Sequence, residues 1–207
     1  RADAESKPFC DWTQTLPCEL LHSGDGYTPM PGFETGALYR ELRIGEGDAP
    51  SVGDKVCCDW AMYTFYLSHV VSARGLTKGG AFEGDDVDAT FLRFTLGDGS
   101  MIGAVEGALL SGMRVGGVRR VIIFPGAASY PGMLPNDKGR NWSQLGPAPE
   151  TLSGRRSLDF VAKNTANVDK SLLMDIELLG VGEGARAVRG PGAWTPEALA
   201  AAKTGSL

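Results

Sequence analysis

The sequence predicts an α+β domain in which one short helix packs on one face of an antiparallel sheet. Stretches rich in β-branched and aromatic residues recur along the chain and predict strands, whereas only one stretch inside the body has helical spacing. The chain holds 29 glycines in 207 residues, about twice the usual share, which favours turns over a helical bundle. Hydrophobic residues make up 43% of the chain, enough for a packed core.

The first half of the chain supplies most of the predicted strands. Residues 1–37 are irregular and rich in Gly, Pro and Thr, so we expect an N-terminal extension lying on the main body. The stretch "KVCCDWAMYTFYLSHVV" is the densest in β-branched and aromatic residues and predicts one long strand. Together with its neighbours it gives predicted strands at 38–44, 55–71 and 90–96.

The second half supplies the helix and the closing strand. The stretch 104–113 places Val105, Ala108 and Leu109 on one helical face, and "VRRVIIF" predicts a strand at 118–124. Residues 125–170 show few periodic signals and are interpreted as a long insertion without regular structure. A final buried strand is predicted at 171–181.

The ends of the chain set the predicted domain organisation. The stretch "TPEALAAAK" has Thr195 as N-cap and Pro196 at the first helical position, which predicts a short helix in the tail. The chain therefore divides into the extension 1–37, a body at 38–181 and a tail at 182–207. Because the chain begins at Arg1 without an apolar signal segment, we expect a processed form.

Charge and hydropathy argue against two classes of protein, nucleic-acid binders and membrane-spanning proteins. The formal net charge is -5, and no run of lysine and arginine interleaves with aromatic residues, so a nucleic-acid binder is not expected. The apolar runs end well before the roughly 20 residues that a membrane-spanning helix needs. We expect a soluble protein, or one that is peripheral to a membrane at most.

The four cysteines fall into two pairs. Cys10 and Cys18 flank the loop "CDWTQTLPC"; they form either a disulfide, which stabilises by roughly 2–3 kcal/mol, or two separate thiols. Cys57 and Cys58 are neighbours in a predicted strand and face opposite sides, so we expect one in the core and the other half-buried. With two histidines and no zinc-type spacing, no structural metal is expected.

Three further patterns carry no predicted function. The stretch "GVGEGA" at 180–185 has the glycines of a dinucleotide turn, but no helix pattern follows it. The acidic stretch "GDDVDATF" at 84–91 lacks the spacing of a calcium loop. "NWS" at Asn141 is a glycosylation sequon only if the chain enters the secretory pathway. His22 and His69 are interpreted as structural or exposed.

Four motifs, taken in order, resemble the FKBP-type peptidyl-prolyl cis-trans isomerases over residues 38–181. They are "LGDGSMI" at 96–102, "GMRVGGVRR" at 112–120, "IIFP" with "SY" between 122 and 130, and "DIELL" at 175–179. The resemblance implies a twisted antiparallel sheet wrapped around one short helix, and isomerisation of Xaa–Pro bonds in protein clients without a small-molecule cofactor. The stretch from "SGRRSLDF" to "LLMDIELL" is further similar to divergent plant and algal members of the thylakoid lumen.

The resemblance also implies an apolar catalytic pocket with few polar groups. Tyr130 matches the tyrosine whose hydroxyl donates to a ligand, and Ile102 matches the isoleucine whose backbone N–H also donates. Trp60 stands where a pocket tyrosine is usual. The substrate-pocket residues implied by the same matching are Val105, Met174, Met101 and Val70.

Several of these positions depart from the family pattern. Val105 replaces the tryptophan that floors the pocket, Met174 replaces a phenylalanine, and Val70 with Val71 stands where a phenylalanine–aspartate pair is expected. Losing the indole removes a surface of about 150–250 Å². Two functions follow from the resemblance. One is a weak isomerase with a degenerate pocket; the other is a non-catalytic subunit or assembly factor of a photosynthetic membrane complex, with the matched side chains serving as core.

Overall fold

Seven strands form a single antiparallel sheet in the part of the chain that the structure describes. The structure is a computed structural model and describes residues 26–64, 69–72, 91–134, 141–149, 152–164 and 169–182. The strands are β1 (Thr28–Pro29), β2 (Ala37–Arg43), β3 (Lys55–Thr64), β4 (His69–Ser72), β5 (Leu92–Thr95), β6 (Val118–Ile123) and β7 (Leu172–Val181). Helix α1 (Gly103–Leu110) lies between β5 and β6, and helix α2 (Leu152–Lys163) precedes β7.

The centre of the sheet is the pair β3 and β7. Their register runs from Val56 opposite Val181 to Thr64 opposite Leu172, and it shifts once between Cys57 and Cys58. The strand order is β1-β2-β6-β7-β3-β4, while β5 pairs with the first residues of β3. Helix α1 buries four small or aliphatic side chains against this sheet: Ala104, Val105, Ala108 and Leu109. The predicted α+β fold class is confirmed.

The predicted long strand at 55–71 is wrong, because its residues form two strands that run antiparallel to each other. In β3 and β4, Ala61 is opposite Ser72 and Met62 is opposite Val71. The composition of the stretch stays β-branched and aromatic throughout, and no glycine or proline marks the reversal. Composition therefore identified the strand residues but not the reversal between β3 and β4.

The interpretation of 125–170 as a connection without regular structure is also wrong. This region contains a 3-10 helix at Trp142–Gln144 and the twelve-residue helix α2. Leu158, Val161 and Ala162 are buried, which is the i, i+3, i+4 spacing of a helix packed by one face. The sheet of the described part therefore carries a second helix besides the predicted one.

Several predictions of the sequence lie outside the described residues. These concern residues 1–25 and 183–207, with the cysteine pair Cys10 and Cys18, His22 and the predicted tail helix. The acidic stretch 84–91 also lies outside them, except for Phe91. The backbone of His69 belongs to β4, whereas its side chain is not described.

Both central cysteines are buried, so the expectation that one of them is half-buried is wrong. Cys58 belongs to the main core, and Cys57 packs with Phe91 and Leu179 in a smaller cluster. Both carry reduced thiols. Burial raises the pKa of Cys58 well above its usual value, and the neighbouring Cys57 and Asp59 add to the shift.

We expect Cys57 and Cys58 to resist alkylation in the native protein, because both side chains are shielded from solvent and the raised pKa of Cys58 also suppresses its reactive thiolate. In a variant with Cys10→Ser and Cys18→Ser, iodoacetamide at pH 8 should label neither remaining cysteine until urea unfolds the chain. Mass spectrometry measures the labelling. Rapid labelling of either thiol in the native state would contradict the burial of this part of the sheet.

The segment before β2 packs across two glycines of α1. Met30 is fully buried, and its N–H donates to the carbonyl of Ala37 at 2.9 Å. A Cβ atom at Gly103 would lie 2.4 Å from the Phe33 ring, and one at Gly107 would lie 2.6 Å from the Met30 sulfur. The glycines therefore let this segment approach the helix closely.

Gly103→Ala is expected to lower the free energy of unfolding by about 1–2 kcal/mol, although alanine is normally the better helix residue. The Phe33 ring is rigid and has to move away from the added methyl group. Gly107→Ala is the matched comparison, since it meets the flexible thioether of Met30 and should cost less. Urea unfolding followed by circular dichroism measures both; equal stability of Gly103→Ala and wild type would contradict this close packing.

Candidate active site

Five of the predicted pocket residues belong to one buried cluster between the sheet and α1. They come from separate elements: the central strands β3 and β7, the start and first turn of α1, and the loop after β6. Each of these side chains is at most 4% exposed. The five are Trp60, Ile102, Val105, Tyr130 and Met174.

The other two predicted pocket residues are placed differently. Met101 is partly buried and packs against the same cluster. Val70 belongs to β4, and its side chain is not among those that the structure describes. Its neighbour Val71 is opposite Met62, which in turn is opposite Met174, so the backbone of β4 lies two strands from β7.

Tyr130 is the polar group at the centre of the cluster. A turn in which the N–H of Ser129 donates to Gly126 precedes it, and the carbonyl of Ala128 accepts from the first turn of α1 at 2.9 Å. The Tyr130 hydroxyl donates to the carbonyl oxygen of Pro147 at 2.6 Å. Burial raises the pKa of this hydroxyl far above its usual value, so it stays protonated and acts as a neutral donor.

Ile102 supplies the second donor. It is the N-cap residue of α1 and has an extended backbone, and its N–H donates to the carbonyl of Gly146 at 2.8 Å. The N–H of Gly146 donates to the carbonyl of Ser100 at 2.7 Å, which completes a short parallel bridge around Met101. The Gly146–Pro147 peptide bond is cis. Both predicted donors therefore meet consecutive carbonyls of the chain itself.

Helix α2 holds the segment that carries those carbonyls. The indole N–H of Trp142 donates to the carboxylate of Asp159, and its ring meets Tyr130 edge-on with centroids 6.5 Å apart. The hydrogen bonds from Lys163 and then from Trp142 lower the pKa of Asp159. At the other end of the segment, the guanidinium of Arg155 donates to the carbonyl of Pro149 at 2.8 Å.

The arrangement suits binding of an amide rather than acid–base or metal chemistry. Its two predicted donors are one neutral hydroxyl and one backbone N–H, and the side chains that cluster with them are apolar. Within the described ranges, no group of three or more His, Cys, Asp or Glu side chains is placed to hold a metal ion. In the same ranges, none of the helices has the length and hydropathy needed to cross a membrane.

Sequence reasoning missed the segment whose carbonyls accept from the two donors. Trp142, Gly146 and Pro147 lie in "NWSQLGPAP", where only Asn141 was singled out, as a sequon. Asn141 instead forms a capping box with Gln144 at the start of the 3-10 helix. That spacing, followed by Gly-Pro, is a local signal for an ordered turn. It contains no information on where the turn docks.

Comparison with known proteins decides the family. The chain is 46% identical over 186 residues to the peptidyl-prolyl cis-trans isomerase FKBP19, chloroplastic, of Arabidopsis thaliana, a match that covers 86% of this chain and 68% of the relative. The chain belongs to the FKBP-type peptidyl-prolyl cis-trans isomerases. No family model matches it.

Two further matches cover smaller shares of this chain and of the matched protein. FKBP17-1, chloroplastic, of the same plant is 33% identical over 92 residues, covering 44% of this chain and 37% of the relative. Among solved structures, FkpA from Escherichia coli has a TM-score of 0.47 at 18% identity, covering 79% of this chain and 55% of that one. The matched plant relatives are chloroplastic, and this FKBP is a chloroplast protein.

Proposed function

We propose that this FKBP domain is a slow prolyl isomerase of the thylakoid lumen that binds Xaa–Pro segments of protein clients weakly. One observation carries the proposal. Tyr130 and Ile102, the two groups that the family resemblance assigns to ligand binding, already donate to Pro147 and Gly146 of the same chain. An external proline segment therefore meets a site whose donors are occupied.

The geometry fits the chemistry of prolyl isomerisation. Rotation about an amide bond has a barrier of about 18–20 kcal/mol, because twisting removes the resonance of the C–N bond. The twisted amide is less polar than the planar one, so apolar walls such as Trp60 and Met174 favour it over water. A neutral hydroxyl and a backbone N–H can bind the flanking carbonyls without any proton transfer. Tyr130 stays protonated, so the rate should not change with pH near neutrality.

The altered pocket floor is a second reason to expect weak activity. Val105 stands where the family resemblance places a tryptophan. Losing about 60–100 Å² of contact with the proline ring removes roughly 1.5–2.5 kcal/mol of binding. If that contact is lost from the transition state, the rate falls by about tenfold to a hundredfold.

We expect the purified chain to isomerise a blocked Ala-Leu-Pro-Phe peptide with a kcat/KM at least about tenfold below that of an FKBP carrying the tryptophan floor. NMR exchange spectroscopy measures the rate without a coupling protease. Tyr130→Phe removes the hydroxyl and keeps the ring, so any residual catalysis should fall further. A wild-type rate equal to that of the full-pocket protein would contradict the proposal.

A non-catalytic role is the second candidate, and the same occupied donors favour it. In this alternative the domain is a structural subunit or an assembly factor of a photosynthetic membrane complex. Helix α2 exposes Leu152 and Phe160, at 65% and 64%, which leaves apolar surface for a protein contact. Native gel fractionation of thylakoids tests this: co-migration with one defined photosynthetic complex, combined with no measurable isomerase rate, would favour the alternative.

The proposed lumenal location rests on the chloroplast relatives and on the similarity of 153–179 to lumenal members. Import of a radiolabelled precursor into isolated chloroplasts tests it. The mature chain should be protected from protease in intact thylakoids and digested once they are lysed. Recovery in the stroma would contradict the lumenal location and leave the chloroplast assignment unchanged.

A further inference from the structure

We propose that residues 141–149, called the plug below, are a built-in ligand of the prolyl pocket that a client must displace. The inference rests on the proposed assignment of the Tyr130 pocket as the prolyl site. It goes beyond that assignment in one respect: the plug is the competing ligand, so removing the plug should raise the affinity of the pocket for an added peptide. The plug contains a Gly-Pro pair, which is itself an Xaa–Pro sequence.

The plug meets the pocket as a peptide ligand would, through consecutive backbone carbonyls. The carbonyl of Gly146 accepts from Ile102, and that of Pro147 accepts from the Tyr130 hydroxyl. Gly146 also donates its own N–H to Ser100, so both of its backbone polar groups are used. A Cβ atom at Gly146 would lie 2.8 Å from the Met101 sulfur, so this position accepts the smallest residue most easily.

Both buried and exposed residues occur along the plug, as expected for a segment laid across a surface. Trp142, Pro147 and Pro149 are buried, while Ser143, Gln144 and Ala148 are exposed. The plug is thus not an interior strand. Its outer side faces solvent, and an incoming peptide can reach it without opening the core of the sheet.

Two groups of helix α2 hold the ends of the plug. Asp159 accepts from the Trp142 indole, and Arg155 donates to the carbonyl of Pro149. Both side chains lie toward the surface: Arg155 is exposed and Asp159 is intermediate. Contacts of this kind can be released individually, whereas Leu158 and Val161 keep α2 on the core.

Displacement is chemically balanced because two consecutive client carbonyls would accept the hydrogen bonds that Gly146 and Pro147 accept now. The apparent affinity for a client is then its intrinsic affinity multiplied by the fraction of molecules with the plug detached. A tethered ligand has a high effective concentration, so this fraction is small. Weak binding by the wild type follows even where the pocket itself is sound.

The test loosens the plug by substitutions at Pro147, whose carbonyl accepts from Tyr130, and at Leu145 and Pro149 on either side of the Gly-Pro pair. The same sequence is then offered as a free peptide. The variant carries Leu145→Ser, Pro147→Gly and Pro149→Gly; the probe is the blocked hexapeptide Gln-Leu-Gly-Pro-Ala-Pro, which copies residues 144–149. NMR titration should show binding that is about tenfold tighter or more than in the wild type. The Ile102 amide should exchange faster in the free variant and be protected again when the peptide is added.

The matched control keeps the donors engaged. Ser143→Gly with Ala148→Ser changes two exposed plug positions and should behave as the wild type does. If the triple variant does not fold, Arg155→Ala with Asp159→Ala releases both ends of the plug and leaves its pocket residues unchanged. This end-release variant should also bind the peptide more tightly than the wild type does.

The outcomes separate this inference from the proposed function. Peptide affinity that is equal in wild type, plug variant and end-release variant overturns the inference. Tighter binding without faster isomerisation supports the plug and counts against the isomerase function. The inference is also overturned if the peptide binds the plug variant more tightly but the NMR shift changes are not centred on Ile102 and Tyr130. The peptide then binds another surface.

Discussion

Arg119→Ala is expected to lower the free energy of unfolding by about 3–5 kcal/mol, one of the largest effects of any single substitution in the described part of the chain. Arg119 is 1% exposed and points from β6 toward the end of α1. Its guanidinium donates to the carbonyls of Ala108 and Ser111 and to the Ser111 hydroxyl. Helix α1 has no basic residue in its own last turn, so Arg119 supplies the cationic partner of those carbonyls.

Two further contacts fix this arginine. It forms an ion pair with Glu41 of the neighbouring strand β2, and its guanidinium carbon lies 4.3 Å from the centroid of the Tyr39 ring. Alanine at this position leaves a cavity and removes the guanidinium donors of the buried Ala108 carbonyl and the half-buried Ser111 carbonyl. The broken ion pair contributes less to the loss of stability, because the Glu41 side chain is 36% exposed and water can solvate its carboxylate.

Urea unfolding measured by circular dichroism and by tryptophan fluorescence checks this expectation. Arg114→Ala is the control: its guanidinium makes one exposed hydrogen bond to Gly47, and its removal should change stability by less than about 1 kcal/mol. Arg119→Lys keeps the charge but not the planar fork and should fall between the two. If Arg119→Ala and Arg114→Ala cost the same, Arg119 is not the group that holds the end of α1.

The role of Arg119 shows why local patterns identify elements better than they identify contacts. In "VRRVIIF" the composition predicts a strand, and the two adjacent arginines must face opposite sides of it, but the sequence does not show which of them is buried. The structure separates them: Arg119 is buried under α1, while Arg120 pairs with Asp175 on the other face at 2.7 Å. Which face of a strand covers a helix end is set by packing between distant elements, and a single sequence does not show it.

The candidate site divides in the same way. The family resemblance supplied Tyr130 and Ile102 by residue, and the structure places both in one cluster. Their assigned role as ligand donors stays a prediction. The carbonyls that meet them come from residues 17 and 44 positions further along the chain, within a stretch that showed few periodic signals. Docking of such a turn depends on hydrogen bonds between segments far apart in sequence, so no local pattern could have predicted it.

Val105→Trp is the substitution for which sequence and structure give opposite expectations. From the family pattern alone, restoring the tryptophan should recover part of the isomerase activity, provided that the pocket has not collapsed. In the structure, Val105 is 0% exposed and lies on the face of α1 that packs in the main core. The same buried cluster contains the large side chains of Tyr130 and Trp142.

We expect Val105→Trp to destabilise the protein by about 3 kcal/mol or more, because an indole placed in a closed core forces side chains off their rotamers and shifts the backbone. Activity should not rise while the plug stays in place. The same substitution in the plug variant should cost less, since residues 145–149 are then free to give way. A double-mutant cycle measures that coupling, with unfolding in urea as the stability readout and NMR exchange as the activity readout.

Val105→Ala is the matched control for a change at this position without added volume. It removes two methyl groups from a buried site and should cost about 1–3 kcal/mol through the cavity alone, with no dependence on the plug. If the plug variant lowers the stability cost of Val105→Trp but not that of Val105→Ala, then the indole and the plug compete sterically for the pocket floor. If Val105→Trp is as stable as the wild type and isomerises faster with the plug intact, the floor has room for the indole. Slow catalysis then has its cause in the missing tryptophan rather than in the occupied donors.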